Sequence, residues 1–315
     1  MTQVKEICNR FIKDTVTDIT ISSDGHINET YFIKTRAGYY VCQKMQKGID
    51  TEALKYNYRL YYNALKDFGL LFPKWINCID GSGFYAVDQN NDKWRMYTYI
   101  QGDMYKSPLS KEILYACGQG LAKLHLAFQS IAERPIAVYP HIHDLNYYSD
   151  TFEKMISCND HNKDLRDHVL EEKIYKGAER FLKLRLDRTQ IVHGDTKLSN
   201  ILFSDGEVKA IIDMDTFMNG SLLEDMADLI RSICADTGYI EESTAVTVMS
   251  GYLSISSGLL PDEEVGLLLE VTKKICFELG LRYYIDHISH IKVLKEINKN
   301  GSLIKAAKYI TMALI

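Results

Sequence analysis

IVHGDTKLSNILFSDGEVKAIIDMDT, residues 191–216, is the stretch from which the rest of the chain is read. It sets Asp195, Lys197 and Asn200 close together, and Asp213 follows after a segment that reads as a β-hairpin. Ile201 to Phe203 is apolar, Asp205-Gly206 is a tight-turn pair, and Val208 to Ile212 is apolar and β-branched. A closed hairpin predicts that Asp213 returns beside Asn200. An acid and an amide converging from two strand ends make an oxygen-rich site that suits Mg²⁺. Asp195 stays free to accept a proton from an attacking hydroxyl. Singly these residues are ordinary loop caps and a surface lysine. In this order along a hairpin they point to a catalytic site for phosphoryl transfer.

The 315-residue chain is 46% hydrophobic and 25% charged, enough for one large domain or two lobes with an ordinary core. A formal net charge of −5 argues against a general nucleic-acid binder, while a local basic pocket for nucleotide phosphates stays compatible with it. Seven cysteines are spread singly, without a CxxC pair, and fit reduced core residues better than a disulfide framework or a zinc site. The opening MTQVKEICNRF lacks a continuous apolar segment for export. No apolar run approaches the ~20 residues of a membrane helix. The expected setting is the cytoplasm, with neither membrane nor nucleic acid as a partner.

The first hundred residues read as a short helix and an antiparallel sheet. Strand-like alternation covers 17–22, 30–35 and 39–45, with Ala37-Gly38 as a turn, and two further strands are predicted at 84–88 and 93–100. A helix over 51–67, with Leu54, Tyr58, Tyr61, Tyr62 and Leu65 on one stripe, interrupts the sheet. After Gly102 the pattern is mainly helical, at 111–130, 165–186, 222–235, 243–253, 262–279 and 281–298. His125 falls on the apolar stripe of the first of these and reads as a core histidine. Ser221 and Glu224 form a capping box for the helix at 222. The fold class is therefore α+β and two-lobed, with a nucleotide-binding lobe over 1–100 and a helical catalytic and acceptor-binding lobe over 101–315.

The combined pattern resembles the aminoglycoside phosphotransferase and choline kinase superfamily, relatives of the protein kinases. Within it the chain is most similar to the N-acetylhexosamine 1-kinase group, whose HNDTK-type loop, IDLDT segment and helix ending in DxxR correspond to HGDTKLSN, IDMDT and EDMADLIR here. The resemblance implies a protein-kinase-like fold. It also implies Asp195 as catalytic base, Lys197 supporting the transferred phosphate, and Asn200 and Asp213 as Mg²⁺ ligands. His193, Asp215, Asp228 and Arg231 are expected to support that set. The GHIN sequence, Gly25-His26-Ile27-Asn28, is similar to the phosphate-covering loop of the same group. The lysine expected on the third strand is replaced: Gln43 stands at its position and Lys44 next to it, on the other face of the strand. Either could contact ATP. YTYIQGD, residues 97–103, resembles the hinge between lobes, with adenine on backbone groups around Tyr99 and Ile100. HIHDLNYY partly matches an FHDT-like element, which implies His143 and Asp144 near the acceptor. LGLRYYIDHI matches a segment whose arginine contacts the sugar, here Arg282, although the tyrosine that group places farther on is not matched.

These readings converge on an ATP- and Mg²⁺-dependent phosphotransferase acting on a hydroxyl of a small metabolite. The expected acceptor is the anomeric hydroxyl of an N-acetylhexosamine or related hexose. Choline, ethanolamine or an aminoglycoside is the alternative acceptor, with Glu263, Glu264 and Asp286 available to meet a cation. A non-catalytic nucleotide-binding relative is the alternative suggested by Gln43. No APE-like activation segment follows IDMDT, which sets protein kinase activity last.

Overall fold

The computed structural model describes residues 2–22, 28–66, 68–158, 165–256, 258–289 and 299–315. The chain forms two compact units, residues 1–50 with 72–101, and residues 51–71 with 102–315.

In the first unit, helix α1 (Thr2–Cys8) precedes strands β1 (Val16–Ile21), β2 (Glu29–Thr35) and β3 (Tyr39–Lys44). The chain then leaves through helix α2 (Thr51–Leu65) and returns as β4 (Trp75–Ile76), β5 (Tyr85–Val87) and β6 (Lys93–Thr98). The strands lie in the order β1-β2-β3-β6-β4, with β5 also on β6, all antiparallel. The predicted turn at Ala37-Gly38 is closed by Thr35 N–H donating to Gly38 O at 2.8 Å. Strand alternation sends Ile33, Cys42, Trp94 and Met96 to one face, where they form a core with Val4, Ile7, Cys8 and Phe11 from α1 and the residues after it. The two-residue strand β4 carries too little pattern for sequence reading and was not expected.

Helix α2 forms as its stripe predicts, but it belongs to the second unit and not with the strands that flank it in sequence. Asn57 bridges to backbone groups at Ile136, accepting from its N–H at 2.9 Å and donating to its C=O at 2.7 Å, and Tyr61 packs edge-on to Phe217. Those long-range bonds decide which unit the helix joins.

The second unit continues with α3 (Lys111–Phe128), capped by Ser110, then α4 (Leu145–Cys158), α5 (His168–Phe181) and strand β7 (Gln190–Val192). The hairpin β8 (Ile201–Ser204) and β9 (Glu207–Ile211) follows, then β10 (Met218–Gly220), which pairs with β7. The remaining helices are α6 (Leu222–Ile233), α7 (Glu242–Ile255), the short α8 (Asp262–Val265), α9 (Leu268–Ile288) and α10 (Lys299–Leu314). The helix α4 was not anticipated; its first turn is set by Asp144, whose carboxylate accepts from Tyr147 N–H at 3.1 Å. The break expected after 279 is absent. Gly280 lies inside α9, where a Cβ would meet Ile310 N at 2.9 Å, so the glycine serves the close approach of α10 and not a turn.

Cys8, Cys42, Cys78, Cys117, Cys234 and Cys276 are free and buried. Burial pushes the thiols of Cys117 and Cys276 up to about 12, which keeps them protonated core residues. Among the described residues no helix is long and apolar enough to cross a membrane.

Candidate active site

The site is built on the loop between β7 and β8 and on the turn after β9. Asp205 and Gly206 adopt positive φ of 53° and 83°, the backbone that a tight hairpin turn demands, and β8 pairs antiparallel with β9. At the open end Ile212 N–H donates to Asn200 O at 2.9 Å, so the next residue, Asp213, is set down beside Asn200. Asp213 itself has φ 69° and ψ 57°, a left-handed conformation that aspartate tolerates better than most residues. A second bond fixes the same turn: His193 Nε2 lies 3.0 Å from Ile212 O. Asp195 N–H donates to His193 Nδ1 at 3.2 Å, so Nδ1 is the acceptor and Nε2 carries the proton donated to Ile212 O. Thr216 Oγ1 also donates to His193 O at 2.7 Å. His193 therefore ties the Asp195 loop to the Asp213 turn.

Asp195 is partly exposed and forms an ion pair with Lys197. Burial alone would raise its pKa, but the Lys197 ammonium beside it, with Arg231 farther off, holds the carboxyl below its ordinary value of 3.8. Burial would likewise lower the Lys197 pKa; the charges of Asp195, Asp213 and Asp228 raise it instead. The pair is thus carboxylate and ammonium at neutral pH. Asn200 Nδ2 donates to Asp195 O at 2.8 Å and to its carboxylate at 3.2 Å. A carbonyl oxygen can only accept, which fixes the amide orientation and leaves Asn200 Oδ1 as an acceptor of protons or cations. An amide oxygen so oriented, with the Asp213 carboxylate from the adjoining turn, is the hard oxygen donor set that fits Mg²⁺.

Sequence reading missed the residue that holds this loop. Asp225, fully buried on α6, accepts from His193 N–H and Gly194 N–H, both at 2.8 Å, and lies 3.0 Å from His125 Nε2. Burial would raise its pKa, and the bond and charge of His125 reverse that and keep it ionised. His125, read as a core histidine, is buried as expected; it also bonds Tyr252 OH at 2.9 Å and so orients the anchor of the Asp195 loop. Gly194 has φ 82°, and a Cβ there would lie 2.6 Å from Thr216 O, so the loop needs glycine at that point. The available signal was the helical stripe Asp225, Asp228, Ser232: Ser232 Oγ accepts from Leu198 N–H at 2.8 Å. Asp225 makes the backbone hydrogen bonds to the loop. Arg231 Nε donates to Asp228 at 2.8 Å, and this buried pair reaches Asp195 and Lys197 through charge. Asp215 is buried in the turn after Asp213.

The other expected acceptor residues gather around α4 and α9. His143 Nδ1 is 3.8 Å from Glu278 Oε1, both side chains being nearly buried. The Arg282 guanidinium, one turn beyond Glu278, stacks 5.2 Å over the Tyr148 ring. Burial pushes the Glu278 carboxyl up, against the charges of His143, Arg282 and Lys274. Neither ring nitrogen of His143, nor Glu278 Oε2, nor Arg282 Nε has a hydrogen-bond partner in the described structure. Asp144 is engaged in capping α4 and in a 2.9 Å bond to His141. Of the acids considered for a cationic acceptor, Asp286 is buried, Glu263 is exposed, and Glu264 lies 4.0 Å from Arg188.

In the first unit Gly25, His26 and Ile27 lie outside the described residues. Asn28 is buried, and its Oδ1 accepts from Gln46 N–H at 3.0 Å. Tyr99 is 39% exposed and packs edge-on to Phe32; Ile100 is half-buried.

The model of the phosphotransferase enzyme family matches residues 18–252, most of the chain and the whole of the loop, hairpin and α6 just described. This chain belongs to that family. Three solved structures share the fold of the phosphotransferase at low identity. An amicoumacin kinase, hAmiN, in complex with AMP-PNP, Ca²⁺ and Ami is 14% identical, with TM-score 0.67 over 98% of this chain and 92% of that one. A microcompartment-associated aminopropanol kinase is 16% identical, with TM-score 0.67 over 99% and 96%. A thermostable mutant of the aminoglycoside phosphotransferase APH(4)-Ia, in a ternary complex with ADP and hygromycin B, is 14% identical, with TM-score 0.62 over 95% and 92%. The phosphotransferase is thus a two-lobed kinase-like enzyme, with a small antiparallel-sheet lobe and a helical lobe.

Proposed function

We propose that this phosphotransferase moves the γ-phosphoryl group of ATP to a hydroxyl of a small metabolite, and that the acceptor is the anomeric hydroxyl of an N-acetylhexosamine or related hexose. The observation that carries the chemistry is the ionised Asp195, paired with Lys197 in a loop pinned by Asp225 and set beside Asn200 and Asp213. The Asp195 carboxylate takes the acceptor proton as the acceptor oxygen bonds to the γ-phosphorus. The bond from that phosphorus to the bridging oxygen breaks, and ADP leaves with the electron pair. Lys197 faces the charge on the transferred group. Asn200 and Asp213 would hold Mg²⁺, which when bound neutralises phosphate charge. An anomeric hydroxyl is more acidic than an ordinary alcohol, which suits a carboxylate base of low pKa.

Asp213→Asn keeps a residue that tolerates the left-handed backbone and removes one charge from the proposed ligand set. Mg²⁺-dependent ATP affinity should fall by roughly tenfold or more, with melting temperature little changed. Calorimetric titration with and without Mg²⁺ checks this, and unaltered affinity would remove Asp213 from the metal site.

His143, Glu278 and Arg282 supply the proposed acceptor wall, because both His143 ring nitrogens, Glu278 Oε2 and Arg282 Nε are buried without a hydrogen-bond partner in the described structure. Arg282→Ala should raise the acceptor KM by about tenfold while the ATP KM stays within about twofold. An effect confined to ATP would count against the acceptor contact. Glu278, whose buried Oε2 has no hydrogen-bond partner in the described structure, supports a second reading, an amino alcohol or aminoglycoside whose ammonium would donate to it. Aminopropanol and amicoumacin kinases share the fold.

One assay separates the readings: ADP release from Mg·ATP against hexoses, N-acetylhexosamines, choline, ethanolamine and aminoglycosides. Release with one sugar, lost when its C1 hydroxyl is blocked, supports the anomeric kinase. Release with an amino alcohol alone would overturn the sugar and keep the chemistry.

A further inference from the structure

The small sheet has two unlike faces. One is filled by the core that α1 builds with Ile33, Cys42, Trp94 and Met96. Lys44 shares the parity of Cys42, and its Nζ lies 2.7 Å from Asp92 and 6.0 Å from the Trp94 ring. The Asp92 hydrogen bond raises the Lys44 pKa, so this ammonium is a settled ion pair on the core side.

The opposite face carries a polar row that crosses three strands in register. Thr30 on β2 pairs with Gln43 on β3, and Gln43 pairs with Arg95 on β6. Gln43 Nε2 donates to Thr30 Oγ1 at 3.0 Å, and Gln43 Oε1 accepts from Arg95 Nε at 3.2 Å and Nη2 at 2.9 Å. The amide cannot flip without placing its NH₂ against guanidinium donors, so the row is fixed in one orientation. Arg95 is only 1% exposed, and its guanidinium lies 4.9 Å over the Tyr97 ring. Such a group stays charged at any physiological pH, and burial strengthens its attraction for an anion.

In protein kinases a lysine on the third strand meets the nucleotide phosphates. Here that position is Gln43, which has no charge and spends its carbonyl on Arg95. We propose that Arg95, from β6 and oriented by Gln43 and Thr30, supplies the cation that this chain uses for the α- and β-phosphates of the nucleotide, with Lys44 left to the fold. The inference rests on the nucleotide reading above. It moves the phosphate contact from the third strand to its neighbour, and it assigns Gln43 the work of positioning and not of charge.

The test is titration calorimetry with two probes, Mg·ATP and adenosine, without acceptor. Arg95→Met should weaken ATP binding by about 30-fold and leave adenosine within about twofold, because only ATP carries the phosphates. Adding Gln43→Lys to Arg95→Met should recover most of the ATP affinity by restoring a cation to the same face. Arg95→Lys, which keeps the charge and loses the fork, should show a smaller ATP-selective loss and serves if the methionine variant does not fold. Equal weakening of both probes would reduce Arg95 to a packing role and overturn the proposal. So would unchanged ATP binding, or an ATP-selective loss from Lys44→Met instead. A wild-type protein that binds neither probe would overturn the nucleotide reading itself, an outcome distinct from a wild type that binds both and a variant that does not discriminate.

Discussion

Asp195→Asn is expected to lower kcat by roughly 10²–10⁴-fold while Mg·ATP affinity stays within about threefold of wild type. The side chains are nearly isosteric, so Asn200 still has an oxygen to approach at this position. What is lost is the group that can take a proton and the charge that pairs with Lys197. The low pKa of Asp195 sharpens the expectation. The carboxyl is ionised throughout the neutral range, so the wild-type rate should not fall from protonation of this base until the pH drops below the ordinary carboxylate value of 3.8. Single-turnover kinetics, with nucleotide binding measured in parallel, check both halves. A variant that turns over normally would remove Asp195 as the base. A variant that also fails to bind ATP would show that its charge is needed for the loop.

Asp225→Asn is expected to damage stability and rate together. One carboxylate oxygen accepts from Gly194 N–H; the other accepts from His193 N–H and faces His125 Nε2. An amide would turn an NH₂ against one of these donors, inside a site with no exposure to water. The cost should be about 3 kcal/mol, which for a chain of this size lowers the melting temperature by roughly 4–5 °C. Because His193 also holds Asp195 N–H and the carbonyl before Asp213, displacement of the loop should lower kcat by about 100-fold in the protein that remains folded. Thermal denaturation and steady-state kinetics below the transition measure the two effects. Normal kcat with a lowered melting temperature would confine Asp225 to folding.

The hairpin shows what local sequence can carry. Apolar runs on either side of Asp205-Gly206 specify the turn, and the turn sets the first pairs, Ser204 with Glu207 and Phe203 with Val208; a register shift between Leu202 and Phe203, which the local pattern does not show, then puts Ile212 on Asn200 and Asp213 next to it. The stripe of α3 and the Ser221 cap of α6 were legible for the same reason: period and cap are properties of neighbouring residues. The expected capping box does not close, because Ser221 Oγ accepts from Leu223 N–H and the Glu224 carboxylate accepts from Lys274 Nζ at 2.7 Å instead. That Lys44 would face away from Gln43 also followed from strand alternation alone.

Contacts between residues far apart in sequence were decided only by the tertiary structure. EDMADLIR offers two aspartates, and which one holds the catalytic loop depends on how α6 packs, a choice that settles on Asp225 through residues some thirty and a hundred positions away. The membership of α2 in the second unit rests on Asn57 reaching Ile136. The uninterrupted α9 rests on α10 packing over Gly280. Arg95 has no local motif; it becomes a neighbour of Gln43 only when β6 pairs with β3. The sequence by itself determined the hairpin, the order of the chemical groups along it and the kind of lobe on each side. The tertiary structure decided which charges are buried together, because burial and pairing energies belong to the packed state and leave no periodic trace in the chain.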